Sequence, residues 1–394
     1  MKKKKKLIVG QIGCGKFAEA QDFPNFKKHP QTELKWCCDL NLARAKEMGK
    51  KFGVPDVTAD FMDVLNDPQV QMIKIATSHE VHLPIIEAAA AKGIHIFCEK
   101  PMAMEQEEAF KIIRIVRRSG IKLCVDLNRR MAPSMQALRA KWLEHSQNPK
   151  HQPWRYWEAQ RPPMAEEETS HMMITVQDES SSYAVHHMDP LKGGGEIIGE
   201  TVHWLDLACW FFAPQRPVEI QAWGSRRLSH GLNLKFSSGD SATLVFHCSG
   251  TFDYPKEMYQ VTSNAALFRN QFFVENEYYG IPGAKNEVFP MQHDCMKDEV
   301  PEDGIHAYMK KYLIRARGIA GNSKKYEYTK PFIVDKGHYS MLCGFVDAIL
   351  NDKPSPCDEM AGYMATYLAQ LAIRSLDFRQ TVPVPLEMIT PVFI

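Results

Sequence analysis

Charge of one predominant sign is missing from this chain of 394 residues: Lys+Arg 48 stand against Asp+Glu 47, a formal net charge of +1. That balance lacks the basic footprint of a nucleic-acid-binding surface, so no nucleic-acid partner is expected. Missing too is any stretch approaching the ~20 apolar residues of a membrane helix, and no membrane partner is expected. The ten cysteines lack the paired spacing of a zinc site, and several sit in apolar runs such as Trp36-Cys37-Cys38 and Ile96-Phe97-Cys98. They read as reduced core thiols of a cytoplasmic protein. Internal repeats are absent, and low complexity is confined to the lysine run Lys2 to Lys6. The apolar stretch after that run is short and broken by Gln11 and glycines, so the run reads as a solvated lead into a first strand.

What is present is an ordinary globular composition, 44% hydrophobic and 24% charged, at a length suited to about two domains. Residues 1–130 alternate short apolar runs with helical stretches at the rhythm of βαβ units. Strands are expected at Lys6 to Ile12, Glu33 to Cys38, Met72 to Ala76, His95 to Cys98 and Lys122 to Asp126. Helices are expected at Leu42 to Phe52, His82 to Lys92 and Glu105 to Arg118, closed by Gly53, Gly93 and Gly120. The fold class is α/β: an N-terminal doubly wound parallel Rossmann sheet, followed by a C-terminal α/β (α+β) domain with a large, open, mostly antiparallel sheet.

That second domain is expected over 131–394. It begins with a helix from Pro133 to Ser146 and a strand from Trp154 to Gln160, whose Trp154, Tyr156 and Trp157 either stack on a ligand or fill the core. The polar residues Glu166, Glu167, Glu168, Asp178 and Glu179 make 163–182 read as a surface insertion or lid. Successive strands follow at Val218 to Ser225, Gly231 to Phe236, Ser241 to Ser249 and Met258 to Thr262. Helices at Tyr339 to Leu350 and Met360 to Phe378 either cover that sheet or dock on the first domain.

The first strand runs into Gly13-Cys14-Gly15-Lys16-Phe17-Ala18. In this G-x-G-x-x-A pattern the first glycine makes the turn, the second admits a pyrophosphate to the backbone, and Ala18 keeps helix and strand close. The amides opening the helix would hold the phosphate charge. Asp39 closes the second strand 21 residues after Ala18, where a carboxylate bonds ribose hydroxyls and repels a 2′-phosphate. NAD is therefore expected over NADP, with nearby Arg44 and Lys35 leaving NADP open as the lesser option.

Cys98-Glu99-Lys100-Pro101 ends the strand before the last of this domain and puts a lysine at the carboxyl edge of the sheet, where open α/β folds bind ligands. Together with Gly13-x-Gly15-x-x-Ala18, Ala76-Thr77 with His82, Asn128-Arg129-Arg130, Asp189-Pro190, Gly193-Gly194-Gly195, His203, Asp206 and Asp335-Lys336-Gly337-His338, this order of motifs resembles the glucose-fructose oxidoreductase, inositol dehydrogenase and MocA family. The resemblance implies a nicotinamide cofactor, a sugar or polyol substrate, and a homo-oligomer often assembled through the second-domain sheet. It further implies that Lys100 and His203, coming from different domains, face the substrate. Thr77, His82, Glu99, Lys16 and Phe17 are taken as cofactor contacts.

Chemistry supports that pair. Taking hydride from a carbinol carbon needs a base for the hydroxyl proton, and imidazole titrates near neutrality; cationic Lys100 would stabilise the developing alkoxide. Family members commonly place an aspartate four residues before the histidine, but this chain has Gly199 there and Glu200 beside it. Glu200 lies one helical turn from His203, either orienting its ring or serving as a buried cap. Asp206 is a candidate grip on a second hydroxyl, with a helix-stabilising role equally open. His187 and Arg130 are candidate substrate contacts, Arg130 with a salt-bridge alternative. No metal is expected, because the spacing matches no ligand motif and hydride transfer to NAD needs none.

The expected reaction is oxidation of a secondary ring hydroxyl of a sugar, glycoside (at C3) or cyclitol. Two alternatives stand beside it: tightly bound, recycled NAD in redox-assisted glycoside cleavage or sugar-sugar oxidoreduction, and a non-catalytic NAD and sugar sensor.

Overall fold

The computed structural model describes residues 6–146, 169–178, 189, 193–250, 254–293, 296–299 and 333–385. It resolves two compact units, neither continuous in sequence: Met1–Asn128 with Ala184–Asp206 and His338–Gln370, and Arg129–Tyr183 with Leu207–Gly337 and Leu371–Ile394.

In the first unit, β1 (Leu7–Ile12), β2 (Thr32–Cys38), β3 (Asp56–Thr58), β4 (Met72–Ile75), β5 (His95–Cys98) and β6 (Leu123–Val125) form one parallel sheet in the order β3-β2-β1-β4-β5-β6. Strands β4 and β6 are buried at every position, as helices on both faces require. Register pairs Ile12 with Cys38 and Ile75, Ile75 with Cys98, and Cys98 with Val125. The residues that follow these partners, Gly13, Asp39, Ala76, Glu99 and Asp126, therefore share one edge. Order reverses between β1 and β4, which makes the mouth of β1 the switch point.

Capping chemistry sets the helices. In α2 (Leu42–Phe52) the Asn41 side chain accepts from the Arg44 amide, and Gly53 ends the helix in the left-handed region. In α5 (Gln106–Ser119), Ala109, Ile112, Ile113 and Val116 make the buried stripe, with Glu107 and Glu108 in the first turn and Arg117 and Arg118 in the last. The first helix opens as a π turn at Ala18–Asp22 and continues as α1 (Phe23–Lys28). Helices α3 (Phe61–Asn66) and α4 (His82–Ala91) complete the covering before α5. Neither β3 nor α3 was foreseen, because three and six residues are too few to carry a periodic signal.

The second unit opens with α6 (Pro133–Ser146) and is built on β7 (His171–Gln177), β8 (Pro217–Gly224), β9 (His230–Phe236), β10 (Ser241–His247), β11 (Glu257–Ser263), β12 (Ala266–Gln271), β13 (Glu275–Tyr279) and β14 (Glu287–Val288). A separate small sheet comprises β15 (Met291–His293), β16 (Met296–Glu299) and β17 (Ile333–Val334), and β18 (Val382–Pro383) edges the large one. The nine-stranded order is β14-β13-β12-β11-β7-β10-β9-β8-β18, antiparallel throughout except between β10 and β7. This matches the expected mostly antiparallel sheet. Its helical cover includes Trp142 of α6, whose ring packs tilted against Phe211 of α7 (Val202–Phe212) at 4.9 Å and donates from Nε1 to Ser170 Oγ at 3.1 Å. Helix α8 (His338–Leu350) belongs to the first unit, as does α9 (Glu359–Phe378) as far as Gln370.

One expectation is corrected here. Residues 163–182 are not simply a surface insertion, because β7 lies at the centre of the large sheet between β11 and β10. Met172, Ile174 and Val176 point inward while His171 and Met173 face out. The acidic residues on either side masked that alternation. The expected strand at Trp154 to Gln160 lies outside the described residues. Among the described residues no helix is long and apolar enough to cross a membrane.

Central placement of β7 gives opposite outcomes for neighbouring positions. Ile174 is 2% exposed and Met173 53%. Ile174→Asp should abolish cooperative unfolding of the second unit, since an unpaired buried carboxylate costs several kcal/mol. Met173→Asp should shift stability by less than about 1 kcal/mol. Urea titration followed by tryptophan fluorescence separates the two; equal losses would remove β7 from the core.

Candidate functional site

The glycine-rich turn is shaped by close backbone approach. Gly13 has φ +92°, and a Cβ there would stand 2.2 Å from the Ala76 carbonyl oxygen at the end of β4. At Gly15, by contrast, an added Cβ would meet nothing within 4 Å, so the backbone is bare on that side. Ala18 is fully buried against the sheet, whereas Lys16 and Phe17 are exposed. Asp39 accepts from the Cys14 amide at 2.9 Å through one oxygen and from the Asn41 amide at 2.8 Å through the other. Each oxygen keeps a lone pair. A pyrophosphate beside bare Gly15 and a ribose diol at Asp39 both fit these residues.

Not every expected cofactor contact is placed on that surface. Thr77 is half-buried and its hydroxyl donates to the Ser78 carbonyl at 3.3 Å. His82 is fully buried, with Nδ1 3.0 Å from the Pro101 carbonyl oxygen, so its direct contact is with the Lys100-Pro101 turn. Burial brings its imidazole down to about 4. Glu99 turns inward: its Oε1 accepts from Lys74 Nζ at 2.5 Å.

Lys74 was not singled out by its sequence context, an apolar strand. It is fully buried beneath the carboxyl edge, with Nζ 3.5 Å from Asp22, 2.5 Å from Glu99 and 3.2 Å from Asp126, and 3.9 Å from the Phe97 ring centroid. His338 Nδ1 reaches the same Asp126 oxygen at 3.4 Å. Burial pushes the Asp22 and Glu99 carboxyls up. At Asp126 burial acts in the same direction, but Lys74 and His338 outweigh it and hold the group below the usual carboxylate range. The three carboxylates are close enough to share a metal ion, yet the Lys74 ammonium already stands among them as their cation.

The expected catalytic lysine lies beside this cluster in sequence. Lys100 Nζ donates to the Gly199 carbonyl at 2.7 Å and to Glu200 Oε1 at 2.5 Å. Gly199 and Glu200 belong to a π-helical turn, Ile197–Thr201, that leads into α7. Such turns are wider than α and recur at functional sites. The chain enters this turn through Gly193 and Gly194, whose amides donate to the Asp189 carbonyl at 2.9 and 3.0 Å. Gly194, at φ +79°, leaves no room for a Cβ, which would be 2.6 Å from Ile198 Cβ.

His203 and Asp206 follow at three-residue steps on α7, both buried. All four residues fall in the first unit, so Lys100 and His203 do not come from different domains; residues 184–206 return the chain to the Rossmann unit. Glu200 Oε1 forms an ion pair with Lys100 Nζ. Arg130 is half-buried and belongs to the second unit. Its neighbour Arg129 bonds Glu257 at 2.7 and 2.9 Å, and Lys336 and Tyr259 reach the same carboxylate at 2.7 and 2.6 Å. Burial raises Glu257, but these cations overcome it and hold the group well below its ordinary range. His187 lies outside the described residues.

These features define a dinucleotide-binding Rossmann protein with a lysine-carboxylate pair at the mouth of the sheet. Residues 7–127 match the model of an oxidoreductase family described by its NAD-binding Rossmann fold, the glucose-fructose oxidoreductase, inositol dehydrogenase and MocA family. That model is described as NAD-binding, in keeping with the NAD expected at Asp39. The chain is 34% identical over 145 residues to a levoglucosan dehydrogenase of Pseudarthrobacter phenanthrenivorans, covering 35% of this chain and 37% of that protein. It is 29% identical over 133 residues to a D-glucoside 3-dehydrogenase of Escherichia coli, covering 34% and 38%. Such matches span about a third to a half of the curated relatives. In fold the likeness extends over nearly the whole chain: an oxidoreductase domain protein of Kribbella flavida superposes with a TM-score of 0.73 at 15% identity, covering 97% of this chain and 100% of that one.

The depressed His82 gives a pH signature. Between its ordinary 6.5 and about 4, the unfolded chain binds a proton at His82 that the folded chain does not, so stability falls as pH drops through that window. In urea melts over the window, His82→Asn should lose stability less steeply than wild type by about 1.4 kcal/mol per pH unit. Parallel slopes would show that His82 titrates freely in the folded protein.

Proposed function

We propose that this protein is an NAD-dependent dehydrogenase of the cytoplasm that oxidises a secondary ring hydroxyl of a sugar, glycoside or cyclitol to a ketone, with C3 of a glucoside as the first position to examine. The observation that carries the reading is the Lys100-Glu200 pair held within the same unit as the bare Gly15 backbone and Asp39. The sugar dehydrogenases it resembles supply the substrate class.

NAD, when bound, supplies the hydride acceptor. Bare Gly15 leaves the backbone open to the pyrophosphate, Gly13 makes the turn, Ala18 keeps the helix close to the strand, and Asp39 holds the ribose. Lys100 presents an ammonium that donates to the reacting hydroxyl and stabilises the alkoxide as the proton leaves. Glu200 compensates the lysine charge and fixes its direction, taking the part of the aspartate absent at position 199. The wide π turn brings the side chain one residue later to the lysine. His203 takes the hydroxyl proton. Asp206 accepts from a neighbouring hydroxyl. Assembly is as a homo-oligomer.

Purified protein offered NAD and a panel of glucosides, monosaccharides and inositols should raise absorbance at 340 nm with at least one of them. Lys100→Ala and His203→Ala should each lower turnover by about 10²-fold or more while NAD affinity stays within twofold; undiminished turnover in either would remove that residue from the chemistry. Asp39→Ala should weaken NAD. No absorbance change, with NAD co-purifying, would redirect the reading to a recycled cofactor if product forms and to a sensor if none does.

A further inference from the structure

The surroundings of Asp39 hold a feature that the choice of NAD by one carboxylate does not explain. Arg44 stands on the first turn of α2, five residues beyond Asp39, where an arginine would ordinarily serve a ribose 2′-phosphate. Its guanidinium is engaged on three sides. Nε donates to the Cys14 carbonyl at 2.7 Å, Nη2 to Glu19 at 2.5 Å and Nη1 to Glu47 at 2.9 Å. Glu19 is held in turn by Lys51 at 2.5 Å. The other cation near β2, Lys35, is committed to Asp67, with Gln69 at 3.2 Å.

We propose that Glu19 and Glu47 form an electrostatic lock on Arg44, which denies the 2′-phosphate of NADP its cation and, through the Cys14 carbonyl, fixes the glycine-rich turn for NAD. Three observations support it. First, Asp39 and Arg44 grip the same residue from opposite ends, Asp39 accepting from the Cys14 amide and Arg44 donating to its carbonyl, so the ribose site and the turn are one rigid piece. Second, among the described residues the only side chains that bond the Arg44 guanidinium are carboxylates, Glu19 and Glu47, and the Asp39 carboxylate stands at the same turn, so a phosphate dianion would have to displace them to reach it. Third, Lys51 and Arg44 hold the Glu19 carboxyl below its ordinary range, which keeps the lock charged over the physiological span. Removing Asp39 alone would therefore lift one repulsion without creating a phosphate site, and specificity is set by three carboxylates rather than by one.

The inference rests on the NAD reading, and the test separates the two. Dissociation constants for NAD and NADP, measured by titration calorimetry without substrate, would be compared in wild type, Asp39→Ser, Asp39→Ser with Glu19→Gln and Glu47→Gln, and that triple variant with Arg44→Ala. A thermal melt of each checks folding, and the Glu19→Gln single variant stands in should the triple variant fail to fold. The lock predicts that Asp39→Ser tightens NADP no more than about threefold, that the triple variant tightens it by at least about tenfold more, and that Arg44→Ala removes this gain. With Glu19→Gln alone, NADP should tighten and NAD should change by less than threefold. Equal NADP affinity in Asp39→Ser and the triple variant, or a gain that survives Arg44→Ala, would overturn the lock while leaving the NAD site intact. Wild type that binds neither dinucleotide would overturn the NAD reading itself.

Discussion

A buried ammonium organises the mouth of the Rossmann sheet. Lys74 is fully enclosed, and an enclosed charge is tolerated only where opposite charges and donors surround it. Those charges come from three places: Asp22 on the helix after the glycine-rich turn, Glu99 at the end of β5 and Asp126 at the end of β6. Satisfying one lysine therefore requires the turn, the Glu99-Lys100-Pro101 segment and the last strand to be in place together. Moving any of them would strand a charge in low dielectric, so the edge of the sheet is held far more stiffly than loops usually are.

Lys100 inherits that stiffness. Its backbone follows directly on Glu99, His82 supports the next carbonyl from behind, and its own ammonium is directed by Gly199 and Glu200. A side chain with four rotatable bonds thus loses much of its freedom before any ligand arrives. The second unit repeats the device at Glu257, which gathers Arg129, Lys336 and Tyr259 onto one buried carboxylate. Two sequence motifs of the resemblance, Asn128-Arg129-Arg130 and Asp335-Lys336-Gly337-His338, thereby acquire a physical role: they meet at a buried carboxylate.

Much of the first unit was legible because its signals are local. Parallel strands buried on both faces read as apolar runs, Gly53 and Gly120 stop helices wherever a left-handed residue is needed, and the interval from Ala18 to Asp39 is a direct consequence of one βαβ length. The short β3 and α3 escaped because periodicity needs length. Strand β7 escaped for a different reason: its alternation of Met172, Ile174 and Val176 with outward residues was present, but the acidic residues flanking it argued for solvent. Centrality in a sheet is a property of partners, β10 and β11, that lie some 65 to 90 residues downstream in the chain.

The sequence by itself determined the class of fold, the bare glycine turn and the place of Asp39 at the end of the second strand, because each depends on residue type and spacing within a single βαβ unit. Tertiary structure alone decided what those residues touch. It turned Glu99 and His82 inward, paired Glu200 with Lys100, bound Arg44 to Glu19 and Glu47, and returned residues 184–206 to the first unit. Contacts of this kind join residues far apart in sequence, and a charged side chain takes whichever partner best offsets the loss of water around it.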